Sequence, residues 1–352
     1  MTFKRAVKES VPISDPTSAS NDAPLTNTDE QDAPRKPSRR ADGSIVREPI
    51  RRERTFTGLQ SERAPDYVVI GHICADLLPD GTAVLGGTAL YSALTAASLG
   101  WRVGILTRGA FGRTIDGINV PSLDPYADKF SMIVQESERP TVFVNEYQAG
   151  RRVQTLPHWA GQIDLRGLPP HWRNAKVIHL GPIAQEIDMK ETGSLTPEFL
   201  GVTPQGWMRE WPRAGGRVKL NHLRIAPKLL SRIDGVIVSE EEISLSRDTV
   251  DQVGSRRLAV ITRGEWGSRV VFAGAHAELP GYKIAAKDLT GAGDVFATAF
   301  FIKATERSVS AVNAARFANA VAALSLREVG PNGIPTLDEV DTFLKDAVEV
   351  KR

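Results

Sequence analysis

Five short apolar runs limit what this chain can become: Tyr67–Ile70, Val103–Leu106, Val177–Leu180, Val236–Val238 and Leu258–Ile261. Each is rich in β-branched residues and is closed off by turn residues or charge. None alternates apolar with polar, the pattern of a strand with one wet face, so each reads as a strand covered on both faces. Helical patterns lie between several of them. Thr88–Leu99 is small and apolar almost all round, which predicts a buried helix. Thr290–Ala304 and Ser308–Arg327 follow one another, both rich in Ala. Thr336–Ala347 opens on Thr336 as N-cap with Glu339 at the capping-box position, and repeats Leu337, Val340, Phe343 and Leu344. Strands alternating with helices predict the α/β class: a three-layer, doubly wound, mostly parallel sheet, with ligands bound beyond the carboxyl ends of the strands. Residues 77–86 and 130–155 read otherwise. Ile133–Glu136 and Thr141–Tyr147 look like hairpin strands, and a small β-flap projecting from the main sheet is expected there.

Residues 1–63 carry none of this patterning. They hold Pro12, Pro16, Pro24, Pro34, Pro37 and Pro49 and almost no aromatics. Such a segment cannot bury enough apolar area to offset its ordering entropy, so a disordered tail is expected over 1–63 and a folded domain over 64–352. The tail's charge is split, three basic and six acidic side chains over 1–34 against nine basic and four acidic over 35–63. It lacks the apolar core of a secretory signal, and its acidic residues argue against a transit peptide. Over the whole chain 44 Lys and Arg balance 42 Asp and Glu, which argues against nucleic acid as the main partner. The single cysteine, Cys74, excludes an internal disulfide and fits a reducing, cytoplasmic compartment. The six histidines show no zinc-site spacing, and no apolar stretch is long enough to span a membrane.

The run that carries chemistry is Asp288–Phe301, DLTGAGDVFATAFF. Glycines flank Ala292, an acid follows, and an apolar helix starts at once. Gly291, Ala292 and Gly293 can point successive backbone N–H groups one way at a helix N-terminus, where the macrodipole is positive, which makes an anion hole suited to phosphate. Asp294 falls in the first turn beside it, where a carboxylate can take a proton from a hydroxyl while the hole holds a transferring phosphoryl group. Read alone, the same letters also fit an ordinary capped turn. A dinucleotide fingerprint is disfavoured because Phe296 stands where its third glycine belongs, and no Gly-Lys-Ser/Thr of a Walker A loop occurs.

These motifs resemble those of the PfkB/ribokinase-like carbohydrate kinases. Asp288, Thr290, Gly291, Ala292, Gly293 and Asp294 match the family's C-terminal signature, with Leu289 where Thr is usual. Gly86-Gly87 opening a small-residue helix that ends at Leu99-Gly100 is similar to its N-terminal signature. Gly71–Asp76 resembles its first strand and sugar-binding Asp, and Gly330–Thr336 its closing loop. The resemblance covers roughly residues 66–350. It implies an ATP-dependent phosphotransferase with an alcohol group as acceptor, a small neutral sugar, polyol or cyclitol. Asp294 is then the catalytic base, Gly291, Ala292 and Gly293 the anion hole, and Asp76, Gly86 and Gly87 the acceptor site. Thr262, Gly264 and Gly267 with Asn319 are implied at the nucleotide, Glu242 near Mg²⁺ through water, and a K⁺ ion near Asp288, Thr290 and Gly330. A homodimer is compatible with the family. Two departures qualify the pattern: Ser239 stands where the family often has Asn before its Glu, and Tyr91 where many sugar kinases have Asn. A nucleoside kinase and a catalytically idle binding or regulatory protein are the alternative readings, and the intact Asp294 speaks against the second.

Overall fold

The computed structural model describes residues 53–56, 64–148, 151–212 and 214–350. In chain order its main strands are β1 (Glu53–Phe56), β2 (Tyr67–Ile70), β3 (Cys74–Leu77), β4 (Ala83–Gly86), β5 (Val103–Gly109), β6 (Ser131–Glu136), β7 (Thr141–Gln148), β8 (Arg151–His158), β9 (Val177–Leu180), β10 (Phe199–Val202), β11 (Gly216–Arg217), β12 (Gly235–Ser239), β13 (Leu258–Thr262), β14 (Ser268–Phe272) and β15 (Ala275–Leu279). The longer helices are α1 (Thr88–Ser98), α2 (Ile243–Gly254), α3 (Ala292–Ala304), α4 (Ala311–Ser325) and α5 (Leu337–Asp346).

A ten-stranded sheet runs in the order β1-β6-β5-β2-β9-β10-β12-β13-β14-β15. Every pairing from β6 to β13 is parallel, and the outermost pairings at the two edges are antiparallel. All five apolar runs lie in the parallel part, and alternation along each decides which layer a side chain joins. In β2, Tyr67 and Val69 pack with α1, α3 and α4, while Val68 and Ile70 pack on the other face with Trp172, Leu195 and Val250. Helix α3 sits very close to the sheet. Phe301 lies against Gly201 and Gly235, where a Cβ would come within 2.6 and 3.1 Å of its ring. That close approach carries the start of α3, and with it Asp294, over the carboxyl ends of the strands. The capping box forms as the spacing predicts, with Thr336 and Glu339 bonding reciprocally.

The second sheet has five strands in the order β11-β8-β7-β3-β4. It is the expected flap, with different bounds. β6 belongs instead to the main sheet, parallel to β5, with Met132 and Val134 buried on one face and Ile133 on the other. This stretch carries a polar side chain, Gln135, inside the fold. It is buried, and it both donates to the Asp164 carbonyl and accepts from the Asp164 N–H at 2.8 Å. The tail expected over 1–63 lies outside the described residues except for β1, which pairs antiparallel with β6 from Glu53↔Gln135 to Phe56↔Met132. A folded boundary at residue 64 therefore leaves out a strand.

An edge strand shields the hydrogen-bonding groups of its neighbour. Of two shortened chains, one beginning at residue 51 keeps β1 and one beginning at residue 57 loses it. The second is expected to melt a few degrees lower, about 2–4 °C for a chain of this size, and to self-associate more, as checked by thermal melts and light scattering. Identical behaviour of the two chains would show that β1 adds nothing.

Candidate active site

Helix α3 begins at Ala292, because Gly291 takes the left-handed conformation at φ +78° and stands outside the helix as its N-cap. Nor could Gly291 carry a side chain, since a Cβ there would lie 2.2 Å from the Tyr91 ring. The first N–H groups of any helix lack partners within it. Here they belong to Ala292, Gly293 and Asp294, and only that of Ala292 is loosely taken up, by the Leu289 carbonyl at 3.4 Å. Gly293 is exposed, with no atom within 4 Å of where its Cβ would be. The start of α3 thus has free N–H donors at Gly293 and Asp294 and room beside them.

Asp294 is held by a residue that motif reading passed over. Thr88, the first residue of α1, donates its hydroxyl to Asp294 Oδ1 at 2.7 Å. Thr88 is buried, and its methyl group fills the space left by Gly181, where a Cβ would lie 2.4 Å away. That packing fixes the rotamer and aims the hydroxyl. Desolvation pushes the Asp294 carboxyl up to about 6, with Glu242 adding to the rise; the Thr88 bond and the Arg209 charge oppose it.

The residues expected at the acceptor, Asp76, Gly86 and Gly87, lie together at the flap side of the start of α1. β3 pairs with β4, which places Cys74 opposite Gly86, and a Cβ on Gly86 would meet Asp76 Oδ2 at 2.2 Å. Asp76 is half-buried, with the Asn145 amide 3.5 Å from Oδ1 and Asn145 itself held by Gln154 at 2.9 Å. Gly87 connects this corner directly to Thr88. Beneath it, Glu186 is fully buried and accepts from the N–H groups of His72, Ile183 and Ala184 at 2.6–3.0 Å. It clamps the exits of β2 and β9 together. Arg209, also unsignalled by any motif, is buried with its guanidinium over the Phe143 ring at 5.0 Å and Nη1 donating to the Ile183 carbonyl at 2.8 Å.

The remaining residues singled out from the sequence lie farther along the carboxyl edge. Glu242 is buried at the start of α2, accepting from the Ser239 N–H at 2.9 Å and the Gln205 amide at 2.6 Å. Thr262 ends β13 opposite Ser239, and the Thr262 carbonyl accepts from the Glu240 N–H at 2.8 Å, so Glu242 and the Thr262–Gly267 loop are neighbours. Gly264 and Gly267 both have positive φ. Asn319 does not open onto that loop: it is buried and donates to the Pro280 carbonyl at 3.0 Å, and Pro280 backs Gly267. Asp288 ties the signature loop to the closing loop, accepting from the Thr290 and Gly330 N–H groups at 2.9 and 2.8 Å. Tyr91 lies under Gly291, 4% exposed and facing the core, so it does not line an open acceptor pocket. Among the described residues no three His, Cys, Asp or Glu side chains converge to hold a metal, and no helix is long and apolar enough to cross a membrane.

Because the Asp294 carboxyl has an ordinary value of 3.8 and stands at about 6 in the fold, its ionisation opposes folding above about pH 6. That cost shrinks as pH falls and vanishes once both states are protonated. Asp294→Asn, which keeps an acceptor for Thr88, is therefore expected to melt at or above wild type at pH 8, with the advantage gone by pH 3.5. Thermal melts across that range check it; an Asn variant clearly less stable at pH 8 contradicts the raised value.

The chain is similar to several known proteins. Residues 227–337 match the pfkB family carbohydrate kinase pattern. A protein of Pyrococcus horikoshii, provisionally named a sugar kinase, is 30% identical over 129 residues, 36% of this chain and 41% of that protein, so the match spans less than half the relative's length. Among solved structures, a pyrophosphate-dependent kinase of the ribokinase family, complexed with a pyrophosphate analog and myo-inositol, is similar with a TM-score of 0.61 and 21% identity over 78% of this chain and 99% of its own. An Arabidopsis thaliana ribokinase complexed with ribose and ATP gives 0.57 and 20% over 81% and 100%. The likeness to these structures is one of fold.

Proposed function

We propose that this chain, which by its motifs and fold belongs with the PfkB/ribokinase-like carbohydrate kinases, transfers a phosphoryl group from ATP to a hydroxyl of a small neutral sugar or cyclitol. The observation that carries the reading is the 2.7 Å bond from Thr88 to Asp294. It brings a raised-pKa carboxylate, an anion hole and the Gly86-Gly87 corner to one point. Asp294 takes the proton of the acceptor hydroxyl as its oxygen bonds to the terminal phosphorus, and the bond to the leaving diphosphate breaks. The N–H groups at the start of α3 hold the oxygens of the moving phosphoryl group, as a positioned donor set does for developing charge. Asp76 has lone pairs for neighbouring hydroxyls of the acceptor.

A divalent ion in such a site neutralises charge on the donor's phosphates. Glu242, buried and already oriented by Ser239 and Gln205, fits a role behind the ion's waters better than direct ligation. The Asp288 oxygens serve the backbone of two loops, and a K⁺ role there has no separate support. Leu289 and Val329 are 73% and 65% exposed and flank the Asp288–Gly330 junction, apolar cover suited to a flat base. That favours a nucleotide donor over pyrophosphate.

Asp294→Asn is expected to lower kcat at least about 100-fold, the low end for losing a general base, with ATP affinity little changed because the hole is backbone. The kcat/KM profile should fall on the acid side with a midpoint near 6, the value of the carboxyl that must be ionised. A limb near 4, or an Asn variant with normal turnover, contradicts Asp294 as base.

A donor and acceptor screen settles the rest. ATP is expected to support turnover of neutral cyclitols or sugars ahead of nucleosides, and Asp76→Ala to raise the acceptor KM while sparing ATP binding. Turnover with pyrophosphate alone overturns the donor, and robust use of fructose 6-phosphate with neutral acceptors inert overturns the acceptor class.

A further inference from the structure

Beneath the catalytic corner runs a buried polar chain that the proposed reaction does not use. Thr298, one turn along α3, donates its hydroxyl to the Asp294 carbonyl at 2.9 Å. Tyr67, on the central strand β2, donates its hydroxyl to Thr298 Oγ1 at 3.2 Å. The Tyr67 oxygen lies 2.9 Å from His179 Nδ1 on β9, and His179 Nε2 lies 2.8 Å from Thr203 Oγ1. Tyr67, Thr298 and His179 are fully buried.

With the Tyr67 hydroxyl taken as donor to Thr298, proton counting gives the direction of the other links. The Tyr67 proton goes to Thr298, so the Tyr67 oxygen offers only lone pairs to His179, and Nδ1 must carry the ring proton. Nε2 is then bare and accepts from Thr203. Burial lowers His179 to about 3, which keeps the ring neutral with that one proton. Burial likewise pushes the Tyr67 phenol up, so it stays a donor. All the donors point toward Asp294, an arrangement in which the bonds polarise one another. The flanking residues of β2 are Val68, Val69 and Ile70, and packing there asks for nothing polar. A phenol and an imidazole in such a core cost desolvation free energy unless every bond is made.

We propose that Tyr67 is a positioning residue for Asp294: acting through Thr298, it pins the first turn of α3 to the central strands, so that the Asp294 carboxylate meets Thr88 and the acceptor hydroxyl in register. The role rests on the reading of Asp294 as the base. The charged and titratable groups that otherwise face Asp294 are Arg209 near β10, Glu242 at the start of α2, Tyr91 on α1 and Cys74 on β3, and none belongs to the chain.

The test uses Tyr67→Phe, Thr298→Val and Thr298→Ser in the full chain. The Asp294 carboxyl is titrated by carbon NMR without substrate, and kcat and KM are measured with ATP and myo-inositol as probes. Tyr67→Phe and Thr298→Val each remove a donor whose positive end faces Asp294. They are expected to raise its midpoint by about half a unit and to lower kcat about ten-fold or more, the scale of a small misplacement, with acceptor KM held. Thr298→Ser keeps the hydroxyl and should match wild type. A Thr298→Val protein that melts lower but titrates and turns over normally shows a purely structural role and overturns the proposal. Asp294→Asn, assayed alongside, separates the two readings: normal turnover there removes the base assignment, while the NMR midpoint reports independently whether the chain governs the carboxyl.

Discussion

The bond between Thr88 and Asp294 is the constraint on which the site depends, because it joins two helices that start at opposite ends of the domain's sequence. Each helix alone offers a common feature, a glycine-capped N-terminus. Joined, they set the Asp294 carboxyl at the start of α3 beside the Gly86-Gly87 corner that precedes Thr88. The close packing behind them serves that bond. Gly181 leaves room for the Thr88 methyl, Gly291 leaves room for Tyr91, and Gly201 and Gly235 let Phe301 draw α3 onto the sheet.

Electrostatics follows from the same packing. Asp294 is surrounded closely enough to lose solvation, and its carboxyl rises to about 6. Arg209 and the Thr88 hydroxyl hold that rise in check. A base poised near neutrality both accepts a proton readily and exists ionised at working pH. Glu186 is also fully buried; backbone N–H groups surround its carboxylate, and it acts as a clamp between two strand exits.

Much of this was legible in the sequence where a single physical rule dominates. Strands covered on both faces are mostly apolar, and Tyr67–Ile70 and Val177–Leu180 read true to the residue. A capping box needs Thr336 and Glu339 at fixed spacing, and it formed. Glycines there mark close approaches: Gly86 leaves room for Asp76 and Gly291 for Tyr91. What stayed hidden depends on distant partners. β6 read as a hairpin strand, whereas its partners are β5, in parallel, and β1. β1 sits in a stretch whose composition lacks core-forming period, and its pairing with β6 is backbone recognition, to which composition is blind. Arg209 belongs to no motif, and the side on which Tyr91 lies could not be told from a helix whose letters are small and apolar all round.

The Thr88–Asp294 and Tyr67–Thr298 bonds span 206 and 231 residues of chain. Contacts of such separation close late, since the entropy of ordering the intervening segment must be met before they form. A ribosome has therefore released nearly the whole domain before the base can be aligned. No partly folded intermediate, however rich in native strands, can hold the reactive arrangement. Recovery of the proposed phosphoryl transfer during refolding would consequently report the closure of these two contacts, later than signals from secondary structure.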